Sequence, residues 1–306
     1  MGRSERLLIA CAVLIFVGCG DGGRGATTAG VVDIGGGRMM YRECRGIGTP
    51  IVVLVSGKGN RADIWSARLD PTKPSPTVFR AVGEFTRVCA YDRPLTTGTA
   101  DEPSRSDPVP EPVTAADGAA DLHALLVAAD EAGPYVVVGH SYGGLISRLY
   151  ASTYPADASG LVLVDALSEG LYDGLTPEQR AVFETLNFVP ERVDNVRSFA
   201  QVRAAPAVPP MPVIVLTADK RPITAQDIAE GKFPPIVTED FADALWTAQW
   251  AAQDSLASLF PDGEHITNTN SGHYIQLEQP RLVIDSIRAV VDSVRSSNPL
   301  MRRHEP

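Results

Sequence analysis

The most constraining feature of this chain is the segment Tyr135–Gly144, YVVVGHSYGG, which leads from a strand through a sharp turn into a helix. The run of valines is typical of a strand buried on both faces. Gly139 and Gly143 bracket Ser141 because such a strained turn leaves little room two residues on either side of the serine. Apolar residues then recur at helical spacing, so the helix N-terminus points at Ser141. The strand before the turn and the helix after it predict an exposed nucleophile. The pentapeptide GHSYG by itself could instead be a Gly-rich turn with a surface serine.

The first residues are typical of an export signal. Two arginines precede an apolar run, Leu7–Val17, that is too short to span a bilayer as a helix. The run ends in FVGC, which resembles the lipobox of bacterial lipoproteins, with Cys19 as the lipidated residue. We expect a signal peptide over residues 1–18 and a flexible tether over 19–30. The protein would be exported, either as a cell-envelope lipoprotein anchored at Cys19 or in secreted form.

The cysteines agree with export. Of the four cysteines, Cys11 leaves with the signal and Cys19 would carry lipid, so Cys44 and Cys89 remain. An even remainder in an oxidising compartment indicates one disulfide, and two separately buried thiols are the alternative.

Length and charge restrict the class of protein. The 306 residues suffice for one large α/β domain, and a formal net charge of −10 argues against nucleic-acid binding. The sequence contains no metal-ligand cluster, dinucleotide fingerprint or P-loop, so we expect neither metal nor cofactor. We expect a monomer that reaches a membrane only through its lipid anchor.

Strand and helix patterns alternate along the chain, which is typical of a mostly parallel sheet with helices on both faces. Strands are predicted over Gly30–Ile34, Arg38–Cys44, Ile51–Val55, Arg87–Tyr91, Tyr135–Val138, Gly160–Val164, Val213–Thr217 and Glu264–Asn268. Helices are predicted over Val113–Ala132, Tyr142–Thr153, Thr238–Leu259 and Pro280–Ser296.

Several segments together resemble the α/β-hydrolases. They are VVLVSGKGNRADIW from Val52, RVCAYDRP from Arg87, ADLHALL from Ala120, VVVGHSYGG from Val136, GLVLVDA from Gly160 and SGHYIQLEQP from Ser271. The resemblance implies a mostly parallel eight-stranded sheet, with a core over residues 31–165 and 212–298 and a small cap over 166–211. The second strand of that fold pairs with the fourth, which would place Cys44 and Cys89 on adjacent strands.

The resemblance also implies a base for Ser141 late in the chain, because the triad order of the family is Ser, acid, His. Of the five histidines, His273 alone lies just beyond the last strand. The others lie on a helix (His123), within the sharp turn at Ser141 (His140), at a strand start (His265) and in the tail (His304).

The orienting acid departs from the family's usual pattern. Many members place an Asp after the seventh strand, where Arg221 stands here and Asp219 falls two residues short. Some members take the acid from the end of the sixth strand, where this chain has Asp165. A carboxylate there can fix the tautomer of the base. Asp165 is therefore the preferred acid and Asp219 the less favoured one, although Asp165 could instead only tether a loop.

Two backbone N–H groups are expected to stabilise the developing oxyanion. They belong to Tyr142, just after the nucleophile, and to Lys58 in the SGKG turn, unless that is an ordinary Gly-rich turn.

Four apolar residues of the cap could line a substrate pocket or could equally be cap core, namely Phe183, Leu186, Phe188 and Val189. Trp246 and Trp250 lie one turn apart in a later helix, and such a pair more often serves packing than substrate recognition.

The implied function is that of a serine hydrolase, esterase- or lipase-like, acting on a small ester or lipid-like molecule. Epoxide hydrolase and dehalogenase activities are disfavoured, because members with those activities have Asp where Ser141 stands. A non-catalytic ligand-binding or surface-interaction lipoprotein on the same fold is the alternative, and the missing acid at its usual place keeps it open.

Overall fold

The computed structural model describes residues 27–186 and 190–297, which form one eight-stranded sheet with helices on both faces. In chain order the strands are β1 Thr27–Asp33, β2 Met39–Arg45, β3 Ile51–Val55, β4 Val88–Tyr91, β5 Tyr135–His140, β6 Ala158–Val164, β7 Val213–Leu216 and β8 Glu264–Ile266. Across the sheet their order is β1-β2-β4-β3-β5-β6-β7-β8.

Nine α-helices lie within these described residues. They are α1 Val78–Val82, α2 Ala115–Ala128, α3 Tyr142–Thr153, α4 Pro177–Thr185, α5 Asn195–Ala204, α6 Ala225–Ala229, α7 Glu239–Ser258, α8 Ile275–Glu278 and α9 Pro280–Ser297. Short 3-10 helices cover Ala62–Ser66 and Glu169–Gly174.

The sheet is mixed. Strand β2 runs antiparallel to both neighbours, β1 and β4, and the other five strand pairs are parallel. The sheet is therefore mostly parallel but has an antiparallel edge, formed by a hairpin that needs no helical crossover.

The first strand begins earlier than its sequence pattern predicts. It starts at Thr27, so it includes the last four residues of the segment 19–30 that was expected to be a tether. Pairing with β2 accounts for this extension, since Thr27 lies opposite Arg45 in the antiparallel register. The predicted signal peptide, Cys11 and Cys19 lie outside the described residues.

Strand β3 shows how the sheet separates two cores. All five of its residues are buried, and they alternate between the two faces. Val53 belongs to a cluster with helices α2 and α3, whereas Val52 and Leu54 belong to a cluster with α1 and α9. A strand covered on both faces reads as a continuous apolar run, which is why its boundaries are predicted correctly.

Cys44 and Cys89 lie directly opposite each other in the β2–β4 pair and form a disulfide. Both cysteines are almost fully buried.

None of the helices within residues 27–186 and 190–297 is both long enough and apolar enough to cross a bilayer.

The segment 166–211, predicted as a cap, contains the second 3-10 helix, α4 and α5. Its 3-10 helix packs on α7, where Gly174 lies against Ala248. A side chain at Gly174 would overlap the Ala248 backbone, so this glycine lets the two helices approach closely.

Candidate active site

The predicted site residues follow the carboxyl ends of neighbouring strands. Lys58 follows β3, Ser141 follows β5, Asp165 follows β6 and His273 follows β8. Because parallel strands end at a common edge, the topology brings these residues together although they are far apart in sequence.

Ser141 lies in a strained turn between β5 and α3. Its backbone has φ 52° and ψ −123°, a conformation that costs free energy for a residue with a Cβ. Its N–H donates to the carbonyl of Val164 at 3.1 Å, which extends the β5–β6 ladder up to Ser141. A Cβ at Gly143 would overlap the carbonyl of Ser56, and one at Gly139 would lie 2.5 Å from the Gly143 carbonyl oxygen. The turn therefore requires glycine on both sides, as the sequence predicts.

His273 and Asp165 are joined by a short hydrogen bond. Nδ1 of His273 lies 2.6 Å from Oδ2 of Asp165, while Oδ1 of Asp165 accepts the N–H of Ala218 at 3.1 Å. The Asp165 side chain is only 5% exposed, whereas that of His273 is 37% exposed. The carboxylate therefore holds Nδ1 as the donor and leaves Nε2 free to take up a proton.

Asp219, the less favoured acid, has other partners. Its carboxylate accepts the backbone N–H groups of Asn270 at 2.9 Å and Ser271 at 2.8 Å. It therefore holds the loop that leads to His273, and of the two candidates Asp165 is the one that contacts the imidazole.

Two recesses meet at Ser141 and His273, which line both of them. The first has a volume of about 200 Å³ and is mainly apolar. Its lining includes Leu167, Leu171, Phe183, Leu245 and Trp246. The second has a volume of about 180 Å³ and is mainly polar. Its lining includes Gly57, Lys58, Asn60, Leu186 and Tyr274.

The expected oxyanion donors lie beside these recesses. Among the described residues, the N–H groups of Lys58 and Tyr142 donate to no acceptor, so both are free to bind a substrate oxygen. The Lys58 side chain lines the polar recess, and its burial lowers the pKa of the ammonium. Burial also raises the pKa of the Tyr274 hydroxyl in the same recess.

The remaining histidines have separate surroundings. His123 stacks on Tyr154 with ring centroids 3.9 Å apart, and Nε2 of His265 lies 2.9 Å from the hydroxyl of Thr217. His140 is buried and hydrogen-bonds the backbone carbonyl of His273 at 2.9 Å. His304 lies outside the described residues.

The predicted pocket residues divide between the two recesses and packing. Phe183 lines the apolar recess and Leu186 the polar one. Trp246 lines the apolar recess, and Trp250 packs edge-on against it with ring centroids 5.7 Å apart. Phe188 and Val189 lie outside the described residues.

Sequence reasoning missed a buried ion pair behind the SGKG turn, residues 56–59. Arg93 and Glu191 are joined by two contacts, of 2.7 and 2.9 Å, and their side chains are 4% and 1% exposed. Arg93 stands in the RVCAYDRP segment. A charged residue so close to a buried strand is the sequence signal that could have indicated a buried ion pair. For Glu191 no local pattern indicates its partner, because the two residues are 98 positions apart.

One group of thiol and carboxylate side chains within residues 27–186 and 190–297 is spaced closely enough for a metal ion, namely Cys44, Cys89 and Glu131. Its two sulfur atoms are bonded to each other in the disulfide, so the thiolates that would bind a metal are absent.

Comparisons with known proteins agree with this architecture. The model of the alpha/beta hydrolase family matches residues 52–286. A protein of Escherichia coli O26:H11 named "Putative carbamate hydrolase RutD" is 36% identical over 117 residues, which are 38% of this chain and 38% of that protein. The chain spans only 14% to 59% of the length of the curated relatives it matches.

Solved structures share the fold. The haloalkane dehalogenase DatA of Agrobacterium tumefaciens C58 superposes with a TM-score of 0.56 at 16% identity, over 87% of this chain and 97% of that one. The carboxylesterase CesB of Bacillus subtilis superposes with a TM-score of 0.55 at 14% identity, over 87% of this chain and 91% of that one. At such identities the likeness concerns the fold alone.

Proposed function

Because this chain belongs to the alpha/beta hydrolase family, we propose that it is a serine hydrolase that cleaves carboxylic esters through an acyl-enzyme intermediate. The observation that carries the proposal is the 2.6 Å contact between His273 and Asp165, made beside a serine held in a strained turn. A serine hydroxyl is a weak nucleophile at its free pKa, and an imidazole oriented in this way activates it as a general base.

In the first half of the reaction, Oγ of Ser141 bonds to the carbonyl carbon while its proton passes to Nε2 of His273. The carbonyl electron pair moves to the oxygen, which the N–H groups of Lys58 and Tyr142 stabilise. The tetrahedral adduct collapses, and the leaving alcohol takes the proton from His273.

In the second half, water attacks the acyl carbon and gives a proton to His273. The Ser141–acyl bond breaks, the carboxylic acid leaves, and Ser141 recovers its proton from His273. Asp165 stays ionised throughout and stabilises the imidazolium that forms in each half.

The two recesses support a substrate whose two arms, the groups on either side of the scissile bond, differ in polarity. The apolar recess fits a short hydrocarbon arm, because its walls are formed by leucine and aromatic side chains. The polar recess fits an arm that accepts hydrogen bonds, because Lys58 and Asn60 supply donors there. The scissile carbonyl would lie where the two recesses meet, at Ser141.

The alternative of a non-catalytic binding protein depended on a missing acid. The contact between Asp165 and His273 supports an acid supplied by another strand, so we favour turnover over binding alone. The relative named as a putative carbamate hydrolase suggests carbamates as competing substrates, since they offer the same acyl carbon to a serine.

The test combines labelling with kinetics. A fluorophosphonate probe should modify Ser141, and Ser141→Ala should abolish turnover of p-nitrophenyl acetate. Ser152→Ala, at the other end of α3, is the matched control and should retain wild-type turnover. Unchanged turnover in Ser141→Ala would exclude the mechanism, and faster turnover of the matching p-nitrophenyl carbamate would move the substrate class from esters to carbamates.

Export with lipidation at Cys19 remains part of the proposal. The Cys44–Cys89 disulfide supports it, because disulfides form and persist in oxidising compartments. Mass spectrometry of the mature N-terminus would show either a diacylated Cys19, an unmodified cleaved terminus, or an uncleaved chain, and the last of these would reject export.

A further inference from the structure

The oxyanion loop, residues 56–59, is held from behind by the buried ion pair of Arg93 and Glu191. Arg93 donates from Nη1 to the carbonyl of Ser56 at 2.7 Å and from Nη2 to the carbonyl of Gly57 at 2.8 Å. Glu191 accepts the N–H of Gly59 at 2.6 Å. Three backbone groups of a four-residue loop are thus fixed by two side chains.

The bond to the Gly57 carbonyl sets the direction of the Lys58 N–H. The C=O and N–H of a trans peptide point in opposite directions, and the Gly57–Lys58 bond is trans. Because Arg93 holds the Gly57 carbonyl on its own side, the Lys58 N–H is directed away from Arg93. That is the N–H group expected to stabilise the oxyanion.

The ion pair keeps Arg93 charged and uses both oxygens of the Glu191 carboxylate. Burial by itself lowers the pKa of Arg93, but the ion pair with Glu191 outweighs burial and raises that pKa above its usual range. Each oxygen of the Glu191 carboxylate is used: Oε1 by Arg93, and Oε2 by both Arg93 and Gly59. An amide in place of this carboxylate would turn an N–H₂ group toward donors.

We infer that Arg93 and Glu191 are positioning residues that orient the Lys58 N–H for the oxyanion, so that the cap segment bearing Glu191 controls the geometry of the oxyanion hole. The inference rests on the proposed serine hydrolase function and extends it to the segment 166–211. Neither side chain touches the reacting atoms; both act through the backbone of the loop.

The decisive variant is Glu191→Gln, with Glu169→Gln as its matched control. Glu169 lies in the same segment and makes a comparable pair with Arg148, with contacts of 2.6 and 3.1 Å, away from the oxyanion loop. Both variants break a mostly buried Arg–Glu pair and should lower Tm. A purely structural role would affect turnover per folded molecule equally in the two variants.

For Glu191→Gln we expect kcat for p-nitrophenyl acetate to fall about 10²-fold, the usual effect of losing one oxyanion donor, with KM nearly unchanged. Affinity for phenylboronic acid, whose serine adduct carries a tetrahedral oxyanion, should fall by a similar factor. Glu169→Gln should keep kcat within about twofold of wild type. The inference is overturned if Glu191→Gln keeps wild-type kcat, or if Glu169→Gln loses as much.

Amide hydrogen exchange over residues 57–60 provides a readout independent of turnover. Exchange should be faster in Glu191→Gln than in Glu169→Gln, and equal rates would reject the inference even in a chain that hydrolyses no ester. A wild type without Ser141-dependent turnover or labelling would reject the proposed function instead. If Glu191→Gln does not fold, Glu191→Asp keeps the charge but withdraws the carboxylate, and should show the same losses in smaller degree.

Discussion

His140, the residue before Ser141, holds the backbone of His273: its Nε2 lies 2.9 Å from the His273 carbonyl oxygen. A carbonyl only accepts hydrogen bonds, so Nε2 carries a proton, and in the neutral ring Nδ1 carries none. Nδ1 is buried without a partner among the described residues. The two histidines therefore differ, since His140 holds a backbone carbonyl and His273 is the base of the proposed mechanism.

This arrangement predicts a pH-dependent stability. Burial, followed by repulsion from His273, lowers the pKa of His140 well below 6.5. In the unfolded chain His140 takes up a proton below about pH 6.5, whereas the folded protein resists it. Its contribution to the free energy of unfolding is complete above that pH and declines as the pH falls, by at most about 1.4 kcal/mol per pH unit.

Urea unfolding of wild type and His140→Gln between pH 8 and pH 5 would measure this contribution. Glutamine retains an N–H donor for the His273 carbonyl but takes up no proton in this range. We expect the free energy of unfolding of the variant to depend less on pH than that of wild type. The slopes of the two curves should differ least near pH 8, where both side chains are neutral. Parallel curves across the whole range would contradict the assignment.

A second prediction separates the two candidate acids. Asp165→Asn should lower kcat by about 10⁴-fold, because the amide no longer stabilises the imidazolium and can impose the wrong tautomer on His273. Asp219→Asn should lower Tm and change kcat less than tenfold, because its partners are the N–H groups of Asn270 and Ser271. Steady-state kinetics with p-nitrophenyl acetate would decide, and a larger kcat loss in the Asp219 variant would reverse the assignment.

Much of the fold follows from local patterns. The bounds predicted for β3 and α3 agree with the structure, since a continuous valine-rich run and an unbroken helical period are signals that neighbouring residues carry. The sequence pattern predicts a start of β1 three residues late, because its pairing with β2 decides where it begins. Cross-strand pairing is not visible in a single strand's own sequence.

The site was predictable only in part for the same reason. Ser141 is marked by its own turn and His273 by its place after the last strand. The choice between Asp165 and Asp219 needed three-dimensional contacts, because both carboxylates follow neighbouring strands. Glu191 carries no local signal at all, because its interaction with Arg93 bridges the cap segment and the core.

A third prediction concerns the disulfide. Cys44 and Cys89 are 45 positions apart, so their bond restricts the unfolded chain and should contribute about 2–4 kcal/mol to the free energy of unfolding. The double variant Cys44→Ala with Cys89→Ala should lose this amount, as should reduced wild type in urea unfolding. Its kcat/KM should remain close to that of wild type, because the bond joins β2 to β4 and neither cysteine lines the two recesses. Equal stability with and without the bond would contradict this prediction.

The last prediction concerns a close approach between Gly57 of the oxyanion loop and the turn at Ser141. A Cβ at Gly57 would lie 2.7 Å from Nδ1 of His140 and 3.3 Å from Cβ of Ser141. The His140 ring cannot turn aside without losing its hydrogen bond to the His273 carbonyl, so the loop itself must shift. We expect Gly57→Ala to lower kcat at least tenfold, because the Lys58 N–H would move away from the oxyanion. Gly30→Ala is the matched control, since a Cβ there meets no atom within 4 Å, and it should retain wild-type kinetics. Wild-type kcat in Gly57→Ala would show that the loop tolerates the methyl group and that its position is not critical.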